Sequence, residues 1–199
     1  QQTAKDANVA VFAAQHRFDS FAAGTYVNGP SGSSFIGASP DEVIGNATAG
    51  QTLAQGLTTP MHLGSFYDAM SGLARHFEGR MAPGDVYIFN DPYVAHGMHL
   101  PDIYIVKPIY FEDQLCGWAC SLAHHCDVGG IVAGSNALSA HEIYQEGLRI
   151  PYGKFIEAGK PVQGIWDMVA TNVRLPDKVM GDLQSQLAAC ATGERELID

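Results

Sequence analysis

A pair of long β-type runs in the middle of the chain constrains its fold more than any other feature. Residues 103–111 and 115–123 are rich in β-branched, aromatic and apolar side chains, and only the three polar residues 112–114 separate them. Two such runs joined by so short a stretch predict a β-hairpin. If all three residues form the loop, the register places Asp102 directly opposite His124.

Two groups of metal-binding side chains meet in this register. Asp102 and His124 would project to the same face of the sheet, and His99 would lie just beyond the start of the strand. Imidazole nitrogens and a carboxylate oxygen suit Zn²⁺, Mn²⁺ or Fe²⁺, and three protein ligands leave a position for water or substrate. His125 and Asp127 follow at once and are candidates to orient a ligand or to move a proton. The spacing therefore predicts an open, catalytic type of metal site.

The same residues allow less specific interpretations. A single histidine in a globular protein is more often a hydrogen-bonded structural residue than a metal ligand. A β-bulge at Pro101 or Pro108 would shift the pairing by one residue and send Asp102 and His124 to opposite faces. Structural roles are also favoured for four other candidates elsewhere in the chain, which are His62, His76, Cys120 and Cys126.

Helices and further short strands are expected around the hairpin. Apolar residues recur every three or four positions over 62–79, which predicts a helix, and VYIF at 86–89 is typical of a buried strand. Residues 9–23 have a helical pattern, residues 28–40 are predicted to form a loop, and the C-terminal segment predicts two helices separated at a proline. We therefore expect one α+β domain over residues 1–199, with a mixed, largely antiparallel sheet, a central hairpin and packed helices.

Charge and motif content exclude several functional classes. The formal charge is −10 without a basic run, which argues against a nucleic-acid or anionic-membrane partner. No apolar stretch approaches the roughly 20 residues that cross a bilayer, so a cytoplasmic protein is predicted. Four cysteines without CxxC spacing indicate reduced thiols. Neither GxGxxG nor a Walker-type motif is present, so no cofactor-binding residues are predicted and any ATP must be bound elsewhere.

Six ordered motifs resemble the hydantoinase B/oxoprolinase family. In chain order they are PMHLGS, PGDVYIFNDPY, HLPDIYIVKPIY, HHCDVGG, EIYQEGLRIP and NVRLPDKVMGDLQSQLAA. The family includes the B-type subunits of ATP-dependent hydantoinases and lactamases, the C-terminal half of 5-oxoprolinase, and the metal-bearing subunit of ketone carboxylases. Its members are usually much longer than the matched residues 60–197, so the resemblance implies that the chain is the N-terminal part of a longer B-type subunit.

The resemblance also implies a set of metal ligands. The family's HxPD-type and HHxDxGG-like motifs hold a divalent metal, and here those positions are His99, Asp102 and His124. A carboxylate in the N-terminal segment of family members lies near the metal, and Asp41 is the nearest candidate in this chain. The segment AHGMH stands where many members have GGTH, which places His96 near the site.

The function implied by the resemblance is that of the metal-bearing subunit of an ATP-dependent hetero-oligomeric enzyme. In the family, an A-type subunit with an ATPase fold activates the substrate or bicarbonate by phosphorylation, and the B-type subunit completes the conversion at one divalent ion, Zn²⁺ or Mn²⁺ for this donor set. The first expectation is hydrolysis of a cyclic amide of the hydantoin, lactam or oxoproline type. Carboxylation of a ketone is the alternative reaction. The non-enzymatic alternative is a structural lobe in which a closed metal site holds the hairpin together.

Overall fold

An antiparallel sheet with helices on both faces forms the described part of the chain. The computed structural model describes residues 8–13, 24–26, 52–54 and 60–198. Its strands are β1 (Asn8–Ala13), β2 (Gly24–Tyr26), β3 (Thr52–Ala54), β4 (Val86–Phe89), β5 (Asp102–Phe111), β6 (Gln114–His124), β7 (Gly153–Glu157) and β8 (Lys160–Pro161). Within these residues the sheet order is β2-β1-β6-β5-β4-β7-β8, with β3 also paired to β1. Each of these pairings is antiparallel, so the expected α+β fold with a largely antiparallel sheet and a central hairpin is confirmed.

The hairpin formed by β5 and β6 has the predicted register at its open end but reaches it by a different route. Asp102 pairs with His124, as predicted. The loop, however, has two residues, Glu112 and Asp113, whose φ angles of 47° and 62° are those of a tight primed turn. The register then shifts just before Tyr110, where a bulge in β6 restores the residue that the shorter loop removed. The prediction of a three-residue loop was wrong. The bulge in β6 compensates for the missing loop residue, so the register at the open end is unchanged.

Within the described residues, three helices and one short 3-10 turn accompany the sheet. Helix α1 (Pro60–His76) confirms the helix predicted over 62–79, although it ends three residues earlier. Helices α2 (Gln163–Asn172) and α3 (Pro176–Ile198) confirm the predicted interruption, because Pro176 begins α3, where its missing N–H costs no intrahelical bond. The 3-10 turn spans Ile143–Gln145. None of the helices in the described residues combines the length and apolarity that a membrane crossing needs.

Strand β1 corrects the helix that was predicted over residues 9–23. Six consecutive residues of β1 pair with β6, from Asn8 opposite Leu122 to Ala13 opposite Gly117. A short apolar run such as NVAVFA does not distinguish a strand from a helix by periodicity, and the free edge of β6 decided the outcome. The rest of the predicted helix and the predicted 28–40 loop lie outside the described residues.

Alternation along β5 and β6 divides the hairpin side chains between two hydrophobic cores. Tyr104 and Val106 belong to the core that α1 covers, whereas Ile103 and Ile105 belong to the core that α2 and α3 cover. Successive residues of a strand point to opposite faces, so this division follows from the two-residue period. The face of the hairpin that carries Asp102 is therefore the face toward α1.

The four cysteines are free, in agreement with the prediction of reduced thiols. Cys120 and Cys190 are fully buried, and burial raises the pKa of Cys190 to about 12 and raises that of Cys120. A thiol that stays protonated at neutral pH is a poor nucleophile, so these two are core residues.

Candidate metal centre

His99, Asp102 and His124 come together at the open end of the central hairpin. Each offers one ligand atom, and these three atoms all lie within 4.8 Å of one another. His124 Nδ1 lies 2.8 Å from Asp102 Oδ1, and the centroids of the His99 and His124 rings are 5.5 Å apart. Asp102 is buried, whereas the His124 side chain is 47% exposed, so the cluster is accessible from the His124 side. Two imidazoles and one carboxylate are a donor set that fits Zn²⁺ or Mn²⁺.

The carboxylate of Asp102 sets the electrostatics of this cluster. Its hydrogen bond with His124 raises the pKa of the imidazole, and partial burial opposes that effect without cancelling it. The site thus favours a positive charge beside Asp102, whether a proton on His124 or a cation held between the two side chains. This preference is what a cation site requires.

Asn90 fixes the turn that carries His99. Its side-chain amide donates to the carbonyl of Leu100 at 2.6 Å and to that of Leu148 at 3.0 Å, while its Oδ1 accepts from the Ile150 amide at 2.7 Å. Asn90 is fully buried, so these bonds are shielded from water. The side chain thus ties the HLPD segment, which contains His99, to the EGLRIP segment.

The adjacent histidines of HHCD lie on opposite sides of the hairpin. His124 faces the cluster, but His125 is 1% exposed and its Nε2 lies 2.9 Å from Oε1 of Gln186 in α3. Because the oxygen of Gln186 can only accept, His125 donates through Nε2. Burial lowers the pKa of His125, against the smaller effect of this hydrogen bond. The catalytic role of His125 stays a prediction. Its observed hydrogen bond with Gln186 connects the hairpin to α3.

Asp127 organises the glycine-rich loop that follows the histidines. Its Oδ1 accepts hydrogen bonds from the amides of Gly129 and Arg174, and its Oδ2 accepts from the Gly134 amide and the Arg174 guanidinium, all at 2.9–3.1 Å. Burial alone would raise the pKa of Asp127, but these four bonds outweigh burial and lower it to about 2. The role predicted for Asp127 in catalysis stays a prediction, and the observed bonds are those of a loop anchor.

Three further residues bear on the cluster or on its prediction. His62, assigned to the core or surface from the sequence, has its Nε2 3.5 Å from Asp102 Oδ2. His96, expected near the site, has a left-handed backbone with φ 55°, and its ring lies beside Gly72 of α1. Asp41, the fourth predicted ligand, lies outside the described residues.

Sequence reasoning also missed Gln186 and Arg174, although the first of them left a signal. Gln186 occupies a position in the apolar stripe of α3 that includes Val179, Leu183 and Cys190. A polar residue within such a stripe must find buried hydrogen-bond partners. Arg174 is separated by 47 residues from Asp127, and no local pattern connects the two. The first residue was detectable from helical periodicity, and the second was not.

The fold and the cluster define a class of protein: an α+β fold in which the open end of one antiparallel hairpin carries a His/Asp/His group that could hold a metal ion. The chain belongs to the hydantoinase B/oxoprolinase family, whose model matches residues 9–199.

Similar proteins agree with this assignment. The chain is 36% identical over 152 residues to an uncharacterized protein of Methanocaldococcus jannaschii, covering 75% of this chain and 27% of that protein. It is 38% identical over 149 residues to the caprolactamase beta chain of Pseudomonas jessenii, covering 75% and 26%. It is 33% identical over 147 residues to the putative B component of a D-/L-hydantoinase from Pseudomonas sp. strain NS671, covering 71% and 24%. The chain therefore spans about a quarter of the length of these relatives.

Two solved structures share the fold. The ATP-dependent caprolactamase from Pseudomonas jessenii superposes with a TM-score of 0.74 at 30% identity, over 97% of this chain and 27% of that chain. The nucleotide-free structure of an acetone carboxylase superposes with a TM-score of 0.67 at 16% identity, over 96% and 21%. The second likeness concerns the fold alone.

Proposed function

We propose that this chain is the metal-bearing part of an ATP-dependent, multisubunit enzyme that hydrolyses a cyclic amide. The observation that carries the proposal is the cluster of His99, Asp102 and His124, whose donor atoms lie within 4.8 Å of one another. The partly exposed His124 leaves one side of the cluster accessible to a small molecule. Family membership and the similarity to a caprolactamase support the choice of a cyclic amide.

Zn²⁺ or Mn²⁺ is the proposed ion, and His99, Asp102 and His124 would hold it, with Asp41 as a further candidate ligand. A divalent cation bound there supplies Lewis acidity, which polarises a carbonyl or phosphoryl oxygen and lowers the pKa of bound water. The chain's own contribution is to orient the donors. Asp102 is fixed by burial and by its 2.8 Å contact with His124, and Asn90 fixes the turn that carries His99.

The proposed division of labour assigns ATP to an A-type, ATPase-fold partner in the cytoplasm. The sequence has neither of the glycine-rich phosphate-binding motifs. A net charge of −10 also disfavours binding a polyanion. Activation of the amide by phosphorylation on the partner, followed by conversion at this chain, is consistent with both features.

The test combines metal analysis and activity in the complete complex. The natural protein should carry about one divalent ion per chain, and His124→Ala should lose most of it, because removing one of three ligands leaves an inadequate site. ATP-dependent hydrolysis of caprolactam, hydantoin and 5-oxoproline is then compared with bicarbonate-dependent carboxylation of acetone. His141→Ala, at an exposed loop position, is the matched control and should keep both metal and activity.

Three outcomes would contradict the proposal. Full metal occupancy in the His124→Ala variant would refute the cluster as the metal site. If the complex carboxylates acetone but hydrolyses none of the cyclic amides, the proposed reaction is wrong and ketone carboxylation takes its place. Metal binding without either activity in the complete complex, together with a fourth protein ligand and no exchangeable water on the ion, would favour a structural staple.

A further inference from the structure

Helix α1 places a fourth ionisable side chain against the metal cluster. His62, in the first turn of α1, has its Nε2 3.5 Å from Asp102 Oδ2. The other oxygen of the same carboxylate, Oδ1, lies 2.8 Å from His124 Nδ1. Asp102 is therefore contacted on its two oxygens by two different histidines, one from the paired strand and one from the helix.

The first turns of α1 are pinned onto β5 one step along the strand from this contact. Ser65 shares a hydrogen bond with the Tyr104 hydroxyl, and the ring of Phe66 meets that of Tyr104 edge to face at a centroid distance of 5.4 Å. Ser65 Oγ also bonds to the His62 carbonyl at 2.8 Å. Because Asp102 and Tyr104 are two residues apart on a strand they share a face, and because His62 and Ser65 are three apart on a helix they share a side. The Tyr104 contact thus directs His62 at Asp102.

Both side chains of the contact between His62 and Asp102 are largely shielded from water. Asp102 is only 4% exposed in its side chain and His62 only 17%, so few waters are available to Oδ2. A buried carboxylate oxygen requires a donor. The imidazole of His62 is placed to supply one.

From this arrangement we infer that His62 is a positioning residue of the metal centre, which donates Nε2–H to Asp102 Oδ2 and leaves Oδ1 to the cation. Partners of this kind fix the orientation of a ligating carboxylate, and their loss typically weakens metal binding about 10–100-fold. His62 stands outside the group of three donors that lie within 4.8 Å of one another, and it acts on the ion through Asp102. The inference rests on the proposed metal centre and adds to it the residue that orders its carboxylate.

The experiment measures the Kd for Zn²⁺ alone, and for Mn²⁺ alone, by competition with a chromophoric chelator, using the complete natural protein. His62→Gln keeps an N–H donor near the position of Nε2, whereas His62→Asn, which is of similar polarity, places its amide too close to the backbone to reach Asp102. We expect His62→Asn to raise the Kd about 10-fold or more, and His62→Gln to stay within about threefold of the natural protein. His76→Gln changes an exposed histidine about 21 Å further along the same helix and should leave the Kd unchanged.

Two readouts separate positioning from a general structural role. Thermal melting of the metal-free protein should show both variants folded at the temperature of the binding assay, with His62→Asn melting no higher than His62→Gln because it leaves Asp102 Oδ2 without its donor. Equal Kd values for His62→Asn and the natural protein, while His124→Ala loses the metal, would overturn the inference and leave the metal centre in place. Retention of metal by His124→Ala would instead overturn the proposed function. If Gln and Asn weaken binding equally, the Nε2 donor is not the cause, and the inference also fails.

Discussion

Gln186 is the side chain whose removal tests most directly how the hairpin is held. It is fully buried in α3, and its amide donates to the Ile103 carbonyl at 2.9 Å and to the Ser121 carbonyl at 3.2 Å. Its Oε1 accepts from His125 at 2.9 Å. One side chain therefore connects both strands of the hairpin and the residue next to His124 to the same helix.

We expect Gln186→Leu to destabilise the metal-free protein by about 3 kcal/mol. Leucine has a similar volume, so the loss comes from three hydrogen bonds and from a buried imidazole N–H left without a partner, at about 1–3 kcal/mol for each unsatisfied buried group. For a chain of this size that energy corresponds to a fall in Tm of about 6–12 °C. Gln186→Glu, which keeps the shape but buries a carboxylate against two carbonyl oxygens, should be at least as destabilising.

Differential scanning calorimetry of the variants provides the measurement. Gln184→Leu is the matched control, since Gln184 is exposed two residues away on the same helix, and its effect should stay below about 0.5 kcal/mol. If Gln186→Leu melts at the same temperature as Gln184→Leu, the hydrogen bonds of Gln186 do not contribute to stability. Helix α3 would then not support the hairpin through this side chain.

Two further predictions concern the loop and the turn. The pKa of Asp127 is lowered to about 2, below its value of about 3.9 in an unfolded chain, so Asp127 adds stability above about pH 4 that is lost as the pH falls toward 2. Asp127→Asn should therefore lower the urea midpoint at pH 7 and flatten its pH dependence between about pH 4 and 2, and equal slopes in both proteins would contradict this. Glu112→Asn combined with Asp113→Gly should raise Tm, because both positions have positive φ and a left-handed conformation costs most residues about 1–2 kcal/mol each. The matched control is Asp177→Asn combined with Lys178→Gly, at exposed positions of α3. It should lower Tm, because glycine is unfavourable in a helix. If the turn variant also lowered Tm, the turn would not be of the primed type.

The local sequence was sufficient for the central hairpin and for the pairing of Asp102 with His124. A strand alternates with a period of two and pairs residue by residue, so two β-type runs with a short polar stretch between them carry the register in their own spacing. Asp102 was placed opposite His124 in this way, and the structure has that pair. The assumed loop was one residue too long, and the bulge in β6 compensated, so the right pairing was reached with a wrong loop.

Contacts between residues that are distant in the chain depend on tertiary packing alone. Nothing in the spacing of PMHLGS predicts that His62 lies 3.5 Å from Asp102, because that distance depends on where α1 settles on the sheet. Arg174 contacts Asp127 across 47 residues for the same reason. Residues of the predicted N-terminal helix form strand β1 instead, because β6 offers them a free edge to pair with. Periodicity and turn chemistry act over a few residues, whereas these contacts follow from the burial of whole helix and sheet faces, which is summed over the entire core.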